Sequence, residues 1–552
     1  MKLLNQLSEQ NINKKAKKPT PLVPNKGSKS TPNSPDRAQS VIDITDWLIA
    51  QLGERLDLPD SKIDIHKDFT EYGLNSIEAV NLSGNLENFL GRRLDPTLLW
   101  DYPNIHSLAV YLANESDRPQ TPAAVEVKMP NGTESPEEQL EDIPEQYYRF
   151  DRFEEYRKLQ GQLQHIEQLG LRNPYFNVQE RVCNDTTVIE GRELINYSTY
   201  NYVGMSGDPA VSQAAKEAIE LYGTSVSASR IASGEKPLHR QLESAVADFL
   251  GTEDSIVYIG GHSTNVSTIG HLFGKNDLIV HDSLSHNSIM QGCILSGATA
   301  LSFPHNDYFA LENILSDRRH RYNRVLIVLE GVYSTDGDIP DLPKFIELKK
   351  RYKTFLMVDE AHSIGVLGEH GRGIGEKFAV NPADVDLWMG TFSKSFASCG
   401  GYIAGCKELV EYLKYTAPGF VYSVGMSPAN TAAALASLQV LQAEPQRVAR
   451  LQQQSKLFLD LARQRGLNTG MSHGSPVIPI IVGETFKCIQ LSQALFDRGI
   501  NVQPLGAPSV PEGTARLRFF VTCTHTDEQI RSTVDILVQE WAKIEGSDVM
   551  SA

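Results

Sequence analysis

The chain has 552 residues, too many for one hydrophobic core, so two or more folding units are expected. With 41% hydrophobic and 22% charged residues, its composition is globular rather than disordered or fibrous. The 68 acidic against 52 basic residues leave a formal charge of −16, which argues against a generic nucleic-acid binder with a basic surface.

Residues 1–40 are polar and include Lys14, Lys15, Lys17 and Lys18, with no apolar stretch to form a secretory signal; they read as a flexible tail. From 41 to 115 the periodicity turns helical. Ile42, Ile44, Trp47, Leu48 and Leu52 fit one buried face, Ile77, Val80, Leu82 and Leu86 a second, and Leu108, Val110 and Leu112 close a small all-α unit. This unit holds 13 acidic and 5 basic residues, a concentration of negative charge suited to docking on basic surfaces. Residues 116–144 form a linker, with Pro119, Pro122, Pro130, Pro136 and Pro144 among polar residues. As a coil such a segment spans roughly 30 Å. From 145 to 552 short apolar runs alternate with longer helical patterns, as in an α/β domain. The stretch 476–543 repeats that alternation on a smaller scale and predicts a C-terminal α/β subdomain. No apolar run approaches the ~18–20 residues that cross a bilayer, so no transmembrane segment is expected. The six cysteines are scattered without metal-ligand spacing. That suits the reducing cytoplasm and predicts neither disulfides nor a metal site.

In the small unit, Asp68-Phe-Thr-Glu-Tyr-Gly-Leu-Asn-Ser76-Ile-Glu-Ala places Ser76 at the start of a helix, where serine is a good cap. Together with Leu99-Trp-Asp-Tyr-Pro103, this segment resembles an acyl carrier protein, with Asn75 where that family usually has Asp. The resemblance implies a 4′-phosphopantetheine arm on Ser76, ending in a thiol that holds acyl groups as thioesters.

Four motifs dominate the large domain. Gly390-Thr-Phe-Ser-Lys394-Ser-Phe follows the apolar run 385–389, so the Lys394 amine is expected in a pocket where it can form Schiff bases. Val358-Asp359-Glu-Ala-His362 ends an apolar strand, where open α/β sheets bind ligands. A carboxylate there can keep a pyridinium nitrogen protonated. Asp282-Ser-Leu-Ser-His286 offers a ring able to lie against an aromatic cofactor. Gly260-Gly261-His262-Ser-Thr-Asn265 is a glycine-rich helix entry of the kind that cradles phosphate.

In this order the motifs resemble the α-oxoamine synthases, pyridoxal-phosphate (PLP) enzymes of the aspartate aminotransferase fold (fold type I), with serine palmitoyltransferase the nearest in pattern. Tyr200-Asn201-Tyr-Val-Gly-Met-Ser, Glu330-Gly-Val-Tyr-Ser-Thr-Asp-Gly-Asp338 and Gly513-Thr-Ala-Arg-Leu-Arg518 extend the match, while His262 stands where an aromatic is common. The resemblance implies Lys394 as the Schiff-base lysine, Asp359 as pyridinium partner and His286 as stacking ring. It makes His362 the donor to the cofactor's phenolic oxygen and Arg518, with Asn201, the binder of the substrate carboxylate. It puts Gly261, His262, Thr391 and Ser393 around phosphate or cofactor oxygens. It also implies a homodimer in which Ser423 reaches the partner subunit's phosphate, and leaves Arg516 structural. The expected reaction condenses a small amino acid with an acyl thioester carried on Ser76, loses carbon dioxide and gives an α-amino ketone. A phosphopantetheinyl transferase and an acyl-loading enzyme would be partners. Alternatives are a synthase using free acyl-coenzyme A with the small unit as docking module, a non-catalytic partner subunit and an ordinary aminotransferase.

Overall fold

The computed structural model describes residues 41–56, 59, 62–72, 82, 86, 89–90, 102, 104–114, 143–507 and 509–549. The chain divides into two compact units, Met1–Lys128 and Met129–Ala552. Ser76, Ile77 and Val80, the tail 1–40 and most of the linker lie outside the described residues.

In the first unit the helix Val41–Leu56 packs on the helix Ile105–Asn114. Ile44, Leu48 and Leu52, spaced by four, share its buried stripe and meet Leu82, Leu86, Leu108 and Leu112. Two expectations change. Ile42 is 70% exposed, because two residues turn a helix by about 200° and set it opposite Ile44. Ala109 rather than Val110 is fully buried, completing an Ile105, Leu108, Ala109, Leu112 stripe. Asn104 caps that second helix, its side-chain oxygen accepting the Ser107 amide at 2.9 Å.

The second unit is built on a seven-stranded sheet of β3 (Asp254–Tyr258), β4 (Leu278–Asp282), β5 (Thr299–Phe303), β6 (Val325–Glu330), β7 (Phe355–Asp359), β8 (Leu387–Thr391) and β9 (Gly401–Gly405). Its order is β3-β9-β8-β7-β6-β4-β5, and only β9 runs against the rest. Both faces are covered, so the middle strands are apolar at every position rather than alternately. On β7, Leu356 and Val358 enter one core and Met357 the other. Register then sets Glu330 at the end of β6 beside Asp359 at the end of β7, and Thr391 at the end of β8 beside Gly401 at the start of antiparallel β9.

The C-terminal subdomain contains β10 (Val477–Gly483), β12 (Pro504–Leu505) and β13 (Ala515–Phe520) in one antiparallel sheet. It is not confined to 476–543. β11 (Ile500–Asn501) pairs in parallel with β2 (Arg192–Asn196), which is antiparallel to β1 (Thr186–Ile189), and Tyr197 and Phe458 enter its core. Local periodicity carries no trace of that pairing. Strand alternation on β13 sends Ala515, Leu517 and Phe519 into this core, whereas Phe520 joins the core of the large sheet. Arg516 and Arg518 share the Phe520 face.

A buried ionic cluster fixes where β3 ends. Glu243, 1% exposed, is 2.6 Å from the Arg230 guanidinium and 3.0 Å from Lys414 Nζ, and accepts the Val257 amide. It ties the helix Pro237–Leu250 to the strand that delivers Gly260 and Gly261. Glu243→Ala leaves buried Arg230 to the exposed Glu235 and takes their buried acceptor from Lys414 and the Val257 amide, so a loss at the lower end of ~3–5 kcal/mol is expected, read as a lower urea midpoint for the large unit.

Candidate active site

The C-terminal edge of the sheet gathers the sequence motifs. Asp359 is buried; its Oδ2 accepts the Asn265 side-chain amide at 2.8 Å and its Oδ1 the Ala361 backbone amide at 2.9 Å. The same Asn265 amide group lies 2.9 Å from Ser288 Oγ, whose hydroxyl is 2.7 Å from His286 Nδ1. A chain of contacts thus runs from Asp359 to His286. Nδ1 of His286 also accepts the Ser288 amide, which caps the helix Asn287–Ser296 and turns the other ring edge outward. Burial lowers the His286 pKa, opposed by the charge of Asp359.

Glu330 stands beside Asp359. It is buried and accepts the His286 backbone amide at 2.6 Å. Burial, reinforced by the charge of Asp359, pushes its pKa well above the usual carboxylate range. Lys394 faces both acids. Burial pulls its pKa down to about 8, while Asp359 and Glu330 work in the opposite direction. Its ammonium is 5.6 Å from the centre of the Tyr200 ring.

His362 is 6% exposed, and its Nδ1 is 2.8 Å from the Tyr202 hydroxyl. Its pKa lies well below the usual value, first through burial and then through repulsion by Lys394, Arg518 and His286. Arg518 donates to the Ser334 carbonyl at 2.9 Å and lies 4.8 Å over the Phe520 ring. Arg516 instead pairs with Asp336 at 2.6 Å, away from these groups.

The helix Gly261–Leu272 starts against β8 so closely that a Cβ on Gly261 would stand 2.7 Å from Thr391 Oγ1. Thr391 Oγ1 donates to the Gly400 carbonyl at 2.9 Å and accepts the Ser393 amide at 3.2 Å. His262 is exposed on the first turn, its ring 6.5 Å from that of His286. Two residues are not drawn in by contact. The Asn201 carboxamide is engaged by Cys183 and Asn184 from the segment before β1 and by Ser206 of its own loop, and half-buried Ser423 bonds through its backbone to Phe420. A separate apolar cavity of about 420 Å³ opens at the other end of the sheet, by Phe355, Leu387 and Tyr412, and no predicted site residue lines it.

This donor set fits PLP. A low-pKa lysine, a buried carboxylate, a helix N-terminus packed against two hydroxyls and an unpaired buried acceptor, Asn265 Oδ1, lie at one sheet edge. The fold and site are those of a PLP-dependent transferase of fold type I.

Comparison with known proteins agrees. The family described as aminotransferase class I and II matches residues 192–537, and that described as phosphopantetheine attachment site matches residues 46–112. The 8-amino-7-oxononanoate synthase of Geobacter sulfurreducens is 39% identical over 380 residues, 68% of this chain and 96% of that protein. The enzyme of that name from Fervidobacterium nodosum is 37% identical over 385 residues, 69% and 96% of the two chains. Among solved structures, the serine palmitoyltransferase of Sphingomonas wittichii superposes with a TM-score of 0.68 at 32% identity, covering 71% of this chain and 98% of its own. The chain belongs to the aminotransferase class I and II family, as an α-oxoamine synthase joined to a carrier domain.

Glu330, Asn265 and Tyr202 were not singled out from sequence. The signal for Glu330 was present: it ends an apolar run as Asp359 does. Asn265 lies one helical turn beyond Gly261. In the PLP-free protein, capture of PLP by Lys394 should rise with pH through a midpoint of about 8, not 10.5. Because Asp359 raises the Lys394 pKa, Asp359→Asn should move that midpoint to lower pH. Stopped-flow absorbance across a pH series measures both.

Proposed function

We propose that the chain condenses a small amino acid with an acyl thioester held on its own phosphopantetheine arm at Ser76, releasing carbon dioxide and forming an α-amino ketone. The observation that carries this reading is the presence of a phosphopantetheine attachment domain and an α-oxoamine synthase in one polypeptide. Tethering of that kind supplies a local donor concentration of roughly millimolar without any new contact. In this reading the domains run 41–115 for the carrier, 116–144 for the linker and 145–552 for the synthase.

Bound PLP supplies an electron sink for negative charge developing at the amino-acid Cα. The chain's residues do the rest. Lys394 binds the cofactor and then, as a free amine of depressed pKa, takes the proton from Cα. Asp359, held by Asn265 and the Ala361 amide, would keep the pyridine nitrogen of the bound cofactor protonated. His286 would lie against the bound ring, and His362 would donate to its phenolic oxygen. Arg518, braced by Ser334 and Phe520, holds the substrate carboxylate. Gly261, His262, Thr391 and Ser393 hold the phosphate, with Ser423 serving the partner subunit in a homodimer. The new bond joins Cα to the thioester carbonyl carbon, the carbon–sulfur bond breaks, and the departing thiolate takes a proton from water. Carbon dioxide departs from the former carboxylate, and Lys394 returns a proton to Cα.

A phosphopantetheinyl transferase and an acyl-loading enzyme would supply the arm and its cargo. The scattered cysteines suit the cytoplasm, and none of the described helices is long and apolar enough to cross a membrane. One observation favours a second reading, turnover of free acyl-coenzyme A. The two related synthases are spanned almost completely by 380 and 385 residues of alignment, which leaves little room in them for an attached carrier.

Lys394→Ala should abolish product formation in any assay, since alanine neither forms the Schiff base nor moves a proton. Ser76→Ala separates the two donors. It should leave PLP absorbance unchanged and reduce condensation from the loaded carrier at least 100-fold, measured by intact mass spectrometry. Turnover at the parent rate from carrier-loaded chain would overturn tethered delivery. Added acylated small unit should restore product in proportion to its concentration.

A further inference from the structure

Tyr202 lies in the loop after β2 and His362 just beyond β7, yet the phenolic oxygen stands 2.8 Å from Nδ1 of the imidazole. Both side chains are buried. The contact is held from several sides. Cys523 donates its backbone amide to the Tyr202 carbonyl at 2.8 Å. The Phe520 ring lies nearly parallel to His362, 13° apart in plane, and meets Tyr202 edge-on. Tyr200 meets His362 edge-on at 5.6 Å. The imidazole therefore has little freedom to flip.

The hydrogen-bond inventory decides which atom carries the proton. A phenol offers one donor and lone pairs; a neutral imidazole offers one donor and one acceptor. If Nδ1 held the proton and donated to Tyr202, the phenolic O–H would need a second acceptor. Among the described residues, its hydrogen bond to His362 is the one it makes. That arrangement strands a buried donor, the costlier kind of unsatisfied group. If the phenolic O–H donates to Nδ1, the donor and the ring acceptor are both satisfied. The ring proton then sits on Nε2, at the ring edge away from Tyr202. Burial keeps both groups uncharged near neutral pH, raising the Tyr202 pKa and lowering that of His362.

We infer that the Tyr202 hydroxyl fixes the tautomer of His362, so that Nε2–H is offered to the site as a standing hydrogen-bond donor. Tyr202 is a positioning residue: it acts through His362. A histidine free to exchange tautomers would present a lone pair to the cofactor's phenolic oxygen for part of the time, and two acceptors would then face each other. The consequence for the cofactor rests on the proposed role of His362. The tautomer itself belongs to the protein and is measured without turnover.

The test uses the full-length PLP-bound protein with ¹⁵N-labelled histidine, the His362 resonances being assigned by their loss in His362→Gln. Long-range ¹⁵N–¹H correlation should show Nδ1 unprotonated and Nε2 protonated. Tyr202→Phe keeps the buried ring and removes only the hydroxyl. It should shift the His362 nitrogens toward a mixture of tautomers, and raise the pH midpoint of the bound-cofactor absorbance because the phenolic oxygen loses a steady donor. An Nδ1-protonated ring in the parent protein overturns the inference, and that measurement stands even if the variant fails to fold. Unchanged tautomer populations in a Tyr202→Phe protein of parent circular dichroism overturn it as well. A tautomer that shifts while the absorbance midpoint stays put upholds the Tyr202 contact and removes His362 from the cofactor.

Discussion

Two carboxyl groups and one amine, brought together where water is scarce, set the terms for the large unit. Glu330 and Asp359 end adjacent parallel strands in register, and Lys394 faces both. Neighbouring buried carboxylates disfavour each other's ionisation, and these two sit in different environments. Asp359 has an amide on each oxygen, whereas Glu330 is deeply buried and has its pKa driven upward. Lys394 lies within the field of both acids, and its own pKa falls to about 8 because burial of its ammonium outweighs their attraction. Glu330 also acts through its hydrogen bond, its oxygen holding the His286 backbone in place.

The same edge continues outward through a second buried cluster. Asp282, at the end of β4, and Asp338 grip His305 from both ring nitrogens at 2.8 and 2.7 Å. Burial pulls the His305 pKa down, but those two bonds prevail and lift it to about 10. The resulting imidazolium compensates acids close to Glu330, whose pKa Asp282 also raises. Charge is thus balanced locally along the sheet edge.

Substrate-side chemistry depends on the other subdomain. β13 alternates between two cores, and that alternation lets Phe520 pack under the large sheet while Arg518, two residues earlier, shares its face. Arg518 is a cation supplied by a strand that follows Lys394 by more than a hundred residues. Any shift between the subdomains moves it relative to Asp359, so the long-range pairing of β11 with β2 bears on the site as well as on stability.

Local chemistry was legible in the amino-acid sequence. Apolar runs ending in Glu330 and Asp359, the Gly260-Gly261 helix entry and the lysine after 385–389 each announce a strand end or turn through short-range patterning. The spacing of Ile44, Leu48 and Leu52 likewise sufficed for one helix stripe, and misplaced only Ile42 because a face two residues away looks the same in composition. What no window of sequence contains is register. The pairing of Glu330 with Asp359, the reach of Asn265 to both Asp359 and Ser288, the Tyr202 contact at His362 and the parallel pairing of Ile500 with Ile195 join residues far apart in the chain. Periodicity records which face of an element is buried. It does not record which element buries it, and that choice, made by packing, settles which groups are charged and where each proton sits.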